Sequence, residues 1–213
     1  MQSKELNDHI CRSLAILIES SDELRDLDQA LGDGDLGITI TAGSRAVIAA
    51  LQELADDATP TEIARTCAKA FANANPSTMA ALVAGALLSG SRVWEGESNI
   101  GVTEAARFTK AAGDSIAQRG KTQVGDKTIL DGIVAAADAL DSATDPEEAT
   151  QAAKLAATRA VRETTALQSR RGRASWLQER SIGLADPGAT AFQRFVEAWE
   201  AAGATSNEQH QLH

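Results

Sequence analysis

The chain predicts an all-α, single-domain protein of antiparallel helices, and three features of the sequence carry that expectation. Alanine is abundant, runs of β-branched residues are rare, and apolar positions recur at helical spacing nearly throughout the 213 residues. No internal repeat, linker or composition break divides it. A chain of this length buries one substantial core. The expected domain is 1–203, followed by a polar tail, 204–213, expected to be disordered.

Leu6, Ile10, Leu14, Leu17 and Ile18 form the apolar stripe of a first helix. A second runs from Ile38 to Leu54, leaving an acidic loop at its N-terminal end. Thr59-Pro60-Thr61-Glu62 combines a capping box with proline at the first helical position and opens a third helix through Ala72. Ser77 to Val93 is almost entirely small and apolar, which predicts a central helix packed on most sides. Helices over Thr103–Arg119 and Asp126–Leu140 follow. Thr144-Asp145-Pro146-Glu147 reads as another capping box, opening a helix to about Gln168. Asp186-Pro187-Gly188 caps a last helix ending near Ala202. The sum is eight helices and no strand, and the short connections make neighbours antiparallel.

Composition excludes several functions. With a net charge of −10 and no extended basic cluster, nucleic acid is not an expected partner. No apolar run approaches the ~18 residues of a membrane span, and Met1-Gln2-Ser3-Lys4-Glu5 begins no signal peptide, so a cytoplasmic protein is expected. Cys11 and Cys67 lie in helical patterns and are expected as buried free thiols. The histidines are His9, His210 and His213, the last two in the tail, which disfavours a histidine-based zinc site, a catalytic triad or a phosphohistidine carrier. Tyrosine is absent. Chemistry is left to carboxylates, Lys, Arg and any bound metal.

The richest segment is Leu27-Asp28-Gln29-Ala30-Leu31-Gly32-Asp33-Gly34-Asp35-Leu36-Gly37. Its three carboxylates repel one another unless a cation joins them, and hard oxygen ligands suit Mg²⁺ or Ca²⁺. An Asp/Gly turn between helices would show the same spacing. An EF-hand is excluded, because counting from Asp33 its fifth, sixth and twelfth positions fall on Gly37, Ile38 and Ser44. The cation reading leads to a magnesium–nucleotide site.

Two further segments carry chemistry. In Gly120–Asp131, Gly-Asp-Lys-Thr lacks the spacing of a P-loop, Asp126 is expected to cap the following helix, and Lys127 is left to pair with the acidic loop or a phosphate. The connection Ser169–Ala185 is long for a compact domain, which marks it as functional. Its Arg173 suits bidentate contact with phosphate oxygens.

Together these segments resemble the L subunit of dihydroxyacetone kinase, also found as the C-terminal domain of single-chain dihydroxyacetone kinases. Asp28, Asp33 and Asp35 match the family's Asp-x₄-Asp-x-Asp motif, and Gly125–Ile129 its Gly-Asp-Lys-Thr-Met segment. Gly172–Trp176, Glu179–Ser181 and Asp186–Ala189 match Gly-Arg-Ala-Ser-Tyr…Gly-Glu-Arg-Ser…Asp-Pro-Gly-Ala. Order and spacing agree over essentially the whole chain.

The resemblance implies an antiparallel barrel of eight helices with a nucleotide site at one end. Asp28, Asp33 and Asp35 would hold two Mg²⁺ ions bridging the phosphates of ADP or ATP. Leu36, Gly37, Ile38 and Thr39 would offer backbone amides, and Ser77 and Thr78 would touch phosphate. Gly120 and Ile129 would line the adenine pocket, with Arg173, Asp186, Pro187 and Gly188 completing the cradle.

The chain departs from the family in several places. Leu36-Gly37-Ile38-Thr39-Ile40 replaces His-Gly-x-Asn-Met, Ala74-Asn75-Pro76-Ser77-Thr78 replaces Gly-Gly-x-Ser-Gly, and Ile129 replaces methionine. These leave room for a triose or tetrose other than dihydroxyacetone. The function implied is phosphoryl transfer from bound nucleotide to a small keto-sugar held by a histidine of a separate K subunit. The alternative is a regulatory subunit with permanently bound ADP that acts through protein contacts. A phosphotransferase-system protein as donor and a homodimer are both left open.

Overall fold

The computed structural model describes residues 1–210, with side chains through 204. The described residues contain nine α-helices and no strand. They are α1 (Ser3–Leu17), α2 (Ser21–Leu31), α3 (Leu36–Gln52), α4 (Pro60–Ala74), α5 (Thr78–Val93), α6 (Val102–Gly120), α7 (Ile129–Ser142), α8 (Pro146–Thr165) and α9 (Pro187–His210). Short 3-10 segments cover Ile18–Ser20 and Arg173–Ser181.

Eight of these helices form the expected ring. From α3 to α9 each helix packs on the next, α9 closes on α1, and α1 packs on α3. Neighbours are antiparallel: Asn7 in α1 donates to the Leu51 carbonyl near the end of α3 at 3.1 Å, and Lys154 of α8 pairs with Glu200 of α9 at 2.6 Å. The core inside the ring centres on Leu6, Leu17, Val47, Leu51, Ile63 and Phe71.

The additional helix is α2. The acidic run was expected as loop from Leu27, yet Leu24 and Leu31 keep a helical stripe and are buried against the ring. A 3-10 turn at Ile18–Ser20 separates α2 from α1, so the first apolar stripe ends at Leu17. Close approach of α2 to α3 depends on Gly37, where a Cβ would collide with the Ser21 carbonyl oxygen.

The caps follow the sequence in part. Thr59 and Glu62 form the expected capping box, with bonds of 3.2 and 2.8 Å. Asp186 caps α9, accepting from the Ala189 amide at 2.7 Å. At α8 the cap is Asp145 alone, which accepts the Glu147 and Glu148 amides at 3.0 Å each, so Thr144 forms no box. At α7 the expected Asp126 cap is replaced by a Thr128–Asp131 capping box, and the helix starts at Ile129. A Thr with Asp three residues on satisfies the first-turn amides locally, which frees Asp126 for a distant partner.

Helix α9 continues past Ala202 to His210. Residues 211–213, and the side chains from 205 onward, lie outside the described residues, so of the expected disordered tail 204–210 continue α9 and only 211–213 fall wholly outside. Cys11 and Cys67 are both free, and burial pushes the Cys67 thiol up to about 12. No helix among the described residues is long and apolar enough to cross a membrane.

Candidate functional site

Antiparallel order gathers the starts of α3, α5, α7 and α9 at one end of the ring, because each follows a helix that returns to that end. Side-chain contacts confirm the convergence. Asn75, after α4, donates to the Thr39 hydroxyl in α3 at 3.1 Å, which sets the start of α5 beside the first turn of α3. A Cβ on Gly188 would stand 3.2 Å from the Cβ of Ile129, so α7 and α9 begin in contact.

The acidic loop occupies one side of this mouth. Asp28 lies in the last turn of α2, and its Oδ2 accepts the Leu36 amide at 3.1 Å. It therefore caps α3 from outside the helix. Asp35, which holds the N-cap position, makes no side-chain cap bond, so its carboxylate stays available. Gly34 turns the chain with φ 78°. One carboxylate oxygen each from Asp28, Asp33 and Asp35 lies within 4.8 Å of the others. Opposite ligands of an octahedral Mg²⁺ stand ~4.2 Å apart, so the oxygens sit close to the span of one divalent ion. Asp33 also forms an ion pair with Arg173.

Of the amides expected from Leu36, Gly37, Ile38 and Thr39, the first is bonded to Asp28 and the last to the Asp35 carbonyl at 2.9 Å. Gly37 and Ile38 are left as the first-turn donors without a carbonyl in their own helix. Ser77 caps α5, accepting the Ala80 amide at 3.1 Å, and Thr78 is the first helical residue.

The opposite side of the mouth is a buried polar network. Asp131 accepts the Gly125 amide at 2.6 Å and the Thr128 amide at 2.8 Å, fixing the turn that precedes α7. Asp126 accepts the Gln123 amide at 3.1 Å and Arg171 Nε at 3.0 Å. Burial alone pushes the Asp126 carboxyl up, but these bonds outweigh it and hold its pKa below the ordinary value. Gly120 ends α6, and a Cβ there would stand 3.9 Å from Leu82 of α5.

Lys127 corrects the sequence reading. It is 1 % exposed, and its ammonium donates to the carbonyls of Thr165, Leu167 and Ser181 at 3.4, 3.0 and 2.7 Å. It contacts neither the acidic loop nor open solvent. Burial lowers its pKa, with Asp186 opposing. Asp186 is buried too, and desolvation, reinforced by Asp131, raises its pKa to about 7 against the pull of the Ala189 amide and Lys127.

Sequence reasoning missed the roles of Asp131, Asp126 and Lys127 in holding this side. The Thr-x-x-Asp spacing could have revealed Asp131, whereas the partners of Asp126 and Lys127 have no local signal. His9 is remote from the mouth, packed against Trp199 with centroids 4.2 Å apart and the rings tilted by 54°, and burial lowers its pKa. A hollow of about 410 Å³ beside Asn7, Arg12 and Leu51 opens at the far end of the ring and shares no residue with this site.

Fold and site together define an all-helical ring domain with a three-carboxylate loop at its mouth. Residues 30–201 match the DAK2 domain, and the chain belongs to that family. It is 33 % identical over 187 residues to the L-erythrulose 1-kinase of Mycolicibacterium smegmatis, covering 86 % of this chain and 33 % of that protein. It is 32 % identical over 171 residues to the PEP-dependent dihydroxyacetone kinase 1, ADP-binding subunit DhaL, of Listeria innocua, covering 80 % of this chain and 82 % of that subunit. The native form of the C. freundii dihydroxyacetone kinase superposes with a TM-score of 0.74 at 21 % identity, over 94 % of this chain and 35 % of that one. The chain thus spans about a third of the erythrulose kinase and most of the ADP-binding subunit.

Proposed function

We propose that this chain is the nucleotide-bearing part of a keto-sugar kinase, holding Mg²⁺ with ADP or ATP and passing a phosphoryl group to a sugar bound elsewhere. The single observation that carries the reading is the convergence of Asp28, Asp33 and Asp35 at the start of α3 beside Arg173. A Mg²⁺ site of this kind typically takes one or two carboxylates plus phosphate oxygens, so three carboxylates favour a pair of ions. Bound Mg²⁺ would neutralise phosphate charge, which phosphoryl transfer needs more than covalent chemistry.

The chain's own residues do the rest. Amides of Gly37 and Ile38, with Ser77 and Thr78, meet phosphate at two helix starts. Arg173 reaches phosphate from the opposite wall. Gly120, Ile129, Pro187 and Gly188 border the base, and Asp186 fixes the start of α9. No histidine among the described side chains lies at the mouth, so the sugar is captured by a partner, a K subunit. Trp176, 78 % exposed on the segment that carries Arg173, and Ile38, 62 % exposed on α3, suit a face that a protein covers. Relatives named as PEP-dependent and PTS-dependent ADP-binding subunits support recharging of bound ADP by a phosphotransferase-system protein. A cytoplasmic location belongs to the same reading.

Calorimetric titration of Asp33→Asn with Mg·ADP tests it. Loss of binding with the helical circular dichroism retained is expected, and unchanged affinity would end the reading. The isolated chain should leave dihydroxyacetone and erythrulose unphosphorylated until a K subunit is added. Arg170→Ala, at an exposed side chain, should lower that turnover more than nucleotide affinity. Robust sugar phosphorylation by the chain alone would overturn the two-component arrangement.

A further inference from the structure

The connection between α8 and α9 is pinned at its base. Lys127 donates to carbonyls on both flanks, Thr165 and Leu167 on one and Ser181 on the other. The Gly183 amide donates to Thr165 at 2.8 Å and the Ser169 amide to Ser181 Oγ at 2.9 Å, closing the same neck. Just beyond it, the Arg170 amide donates to the Asp126 carbonyl at 3.1 Å and Arg171 pairs with the Asp126 carboxylate. The segment so anchored ends in Arg173, whose guanidinium meets Asp33 across the mouth.

A solvated lysine would gain nothing from this place. Lys127 holds φ 62°, a left-handed backbone that a non-glycine residue adopts at a cost, and its charge is buried. Three carbonyl acceptors replace its water. A strained, buried, charged residue persists only where the surrounding structure holds it in place, and such residues cluster at functional sites. The geometry points to Lys127 as a positioning residue for Arg173: it closes the neck of the 166–182 loop and so sets where the guanidinium stands relative to the acidic loop and a nucleotide phosphate. This rests on the nucleotide reading above, in which Arg173 touches phosphate.

A double-mutant cycle on the full chain tests it, with Mg·ADP affinity by calorimetry as the readout. Lys127→Met keeps length and bulk but removes the ammonium. It should weaken Mg·ADP about tenfold in the native background and less than about twofold in an Arg173→Ala background, since residues acting as one unit are not additive. Amide exchange over 170–176 should quicken in Lys127→Met. A merely structural lysine would lower the melting temperature but give additive losses of affinity, and additivity overturns the inference. Should Lys127→Met fail to fold, Lys127→Gln, which keeps a neutral donor of shorter reach, enters the same cycle with the same criteria. If Arg173→Ala alone leaves Mg·ADP affinity unchanged while Asp33→Asn abolishes it, the nucleotide reading stands and the positioning role falls. If neither variant alters affinity, the nucleotide reading itself has failed.

Discussion

At the acidic loop, Asp28, Asp33 and Asp35 crowd together with a single guanidinium among them, and the Asp33 side chain is 42 % exposed. Across the same mouth, Asp126, Lys127, Asp131 and Asp186 are all buried, and each is hydrogen-bonded to backbone. Charge is arranged in opposite ways on the two sides. On the buried side these four charged groups find their partners within the protein before any ligand arrives. The acidic side keeps three like charges close, at an energetic cost that a cation would remove. One side is therefore internally closed, and the other would be completed by the cation and nucleotide proposed above.

The scaffold side should break most severely. Asp131→Ala strands the Gly125 and Thr128 amides, and two orphaned donors cost about 4 kcal/mol on ordinary desolvation penalties. Urea denaturation should show that loss without any ligand present. A loss below about 1 kcal/mol would mean that water replaces the carboxylate and the network is not closed.

Ligand should act on the other side. Mg·ADP at a hundredfold excess over its Kd should stabilise the chain by ~2.7 kcal/mol. Amide exchange should slow over 32–39 and change little over 123–131. A melting curve insensitive to both Mg²⁺ and nucleotide would erase the contrast between the two sides.

The pH dependence isolates Asp186, which faces Asp131 and Lys127. Its folded pKa of about 7 lies above the ordinary carboxylate value. The folded state thus keeps a proton that the unfolded chain has released, and stability falls as pH rises through that window and levels off above it. At ~1.4 kcal/mol for each pH step, going from pH 5 to pH 7 should withdraw up to about 2.5 kcal/mol. Asp186→Asn retains a capping oxygen and should flatten this slope. An identical slope in the variant would show that Asp186 ionises freely.

The smallest effect should come from Gln178, whose φ of 51° and ψ of −127° lie where glycine is at ease. The L-subunit pattern has glycine at this place. Gln178→Gly should relieve ~1 kcal/mol of strain net of the added flexibility of the unfolded chain. A destabilised variant would show that the Gln178 side chain contributes more than its backbone costs.

Much of the fold was legible because helix signals are local. Apolar spacing placed eight helices, and the caps at Thr59 and Asp186 were written within three residues of where they act. The three aspartates were legible for the same reason, lying within eight positions of one another. Helix α2 was missed because crowded carboxylates suggested a loop, while Leu24 and Leu31, which define its buried face, show their burial only against the ring. Asp28 could not be read as the cap of α3, since its acceptor role reaches eight residues forward.

By itself, then, the sequence determined the helix content, the antiparallel order and the crowding of Asp28, Asp33 and Asp35, because periodicity, capping and charge crowding act over a few residues. Only the tertiary structure decided that Lys127 is sealed inside the protein, that Asp126 serves Arg171 rather than a helix end, and that Arg173 faces Asp33. Lys127 bonds carbonyls 38, 40 and 54 residues away, and Asp126 bonds a guanidinium 45 away. A lysine or aspartate carries the same local pattern whether it ends in water or in a buried pair. The choice is made by which distant backbone the packed helices bring within reach.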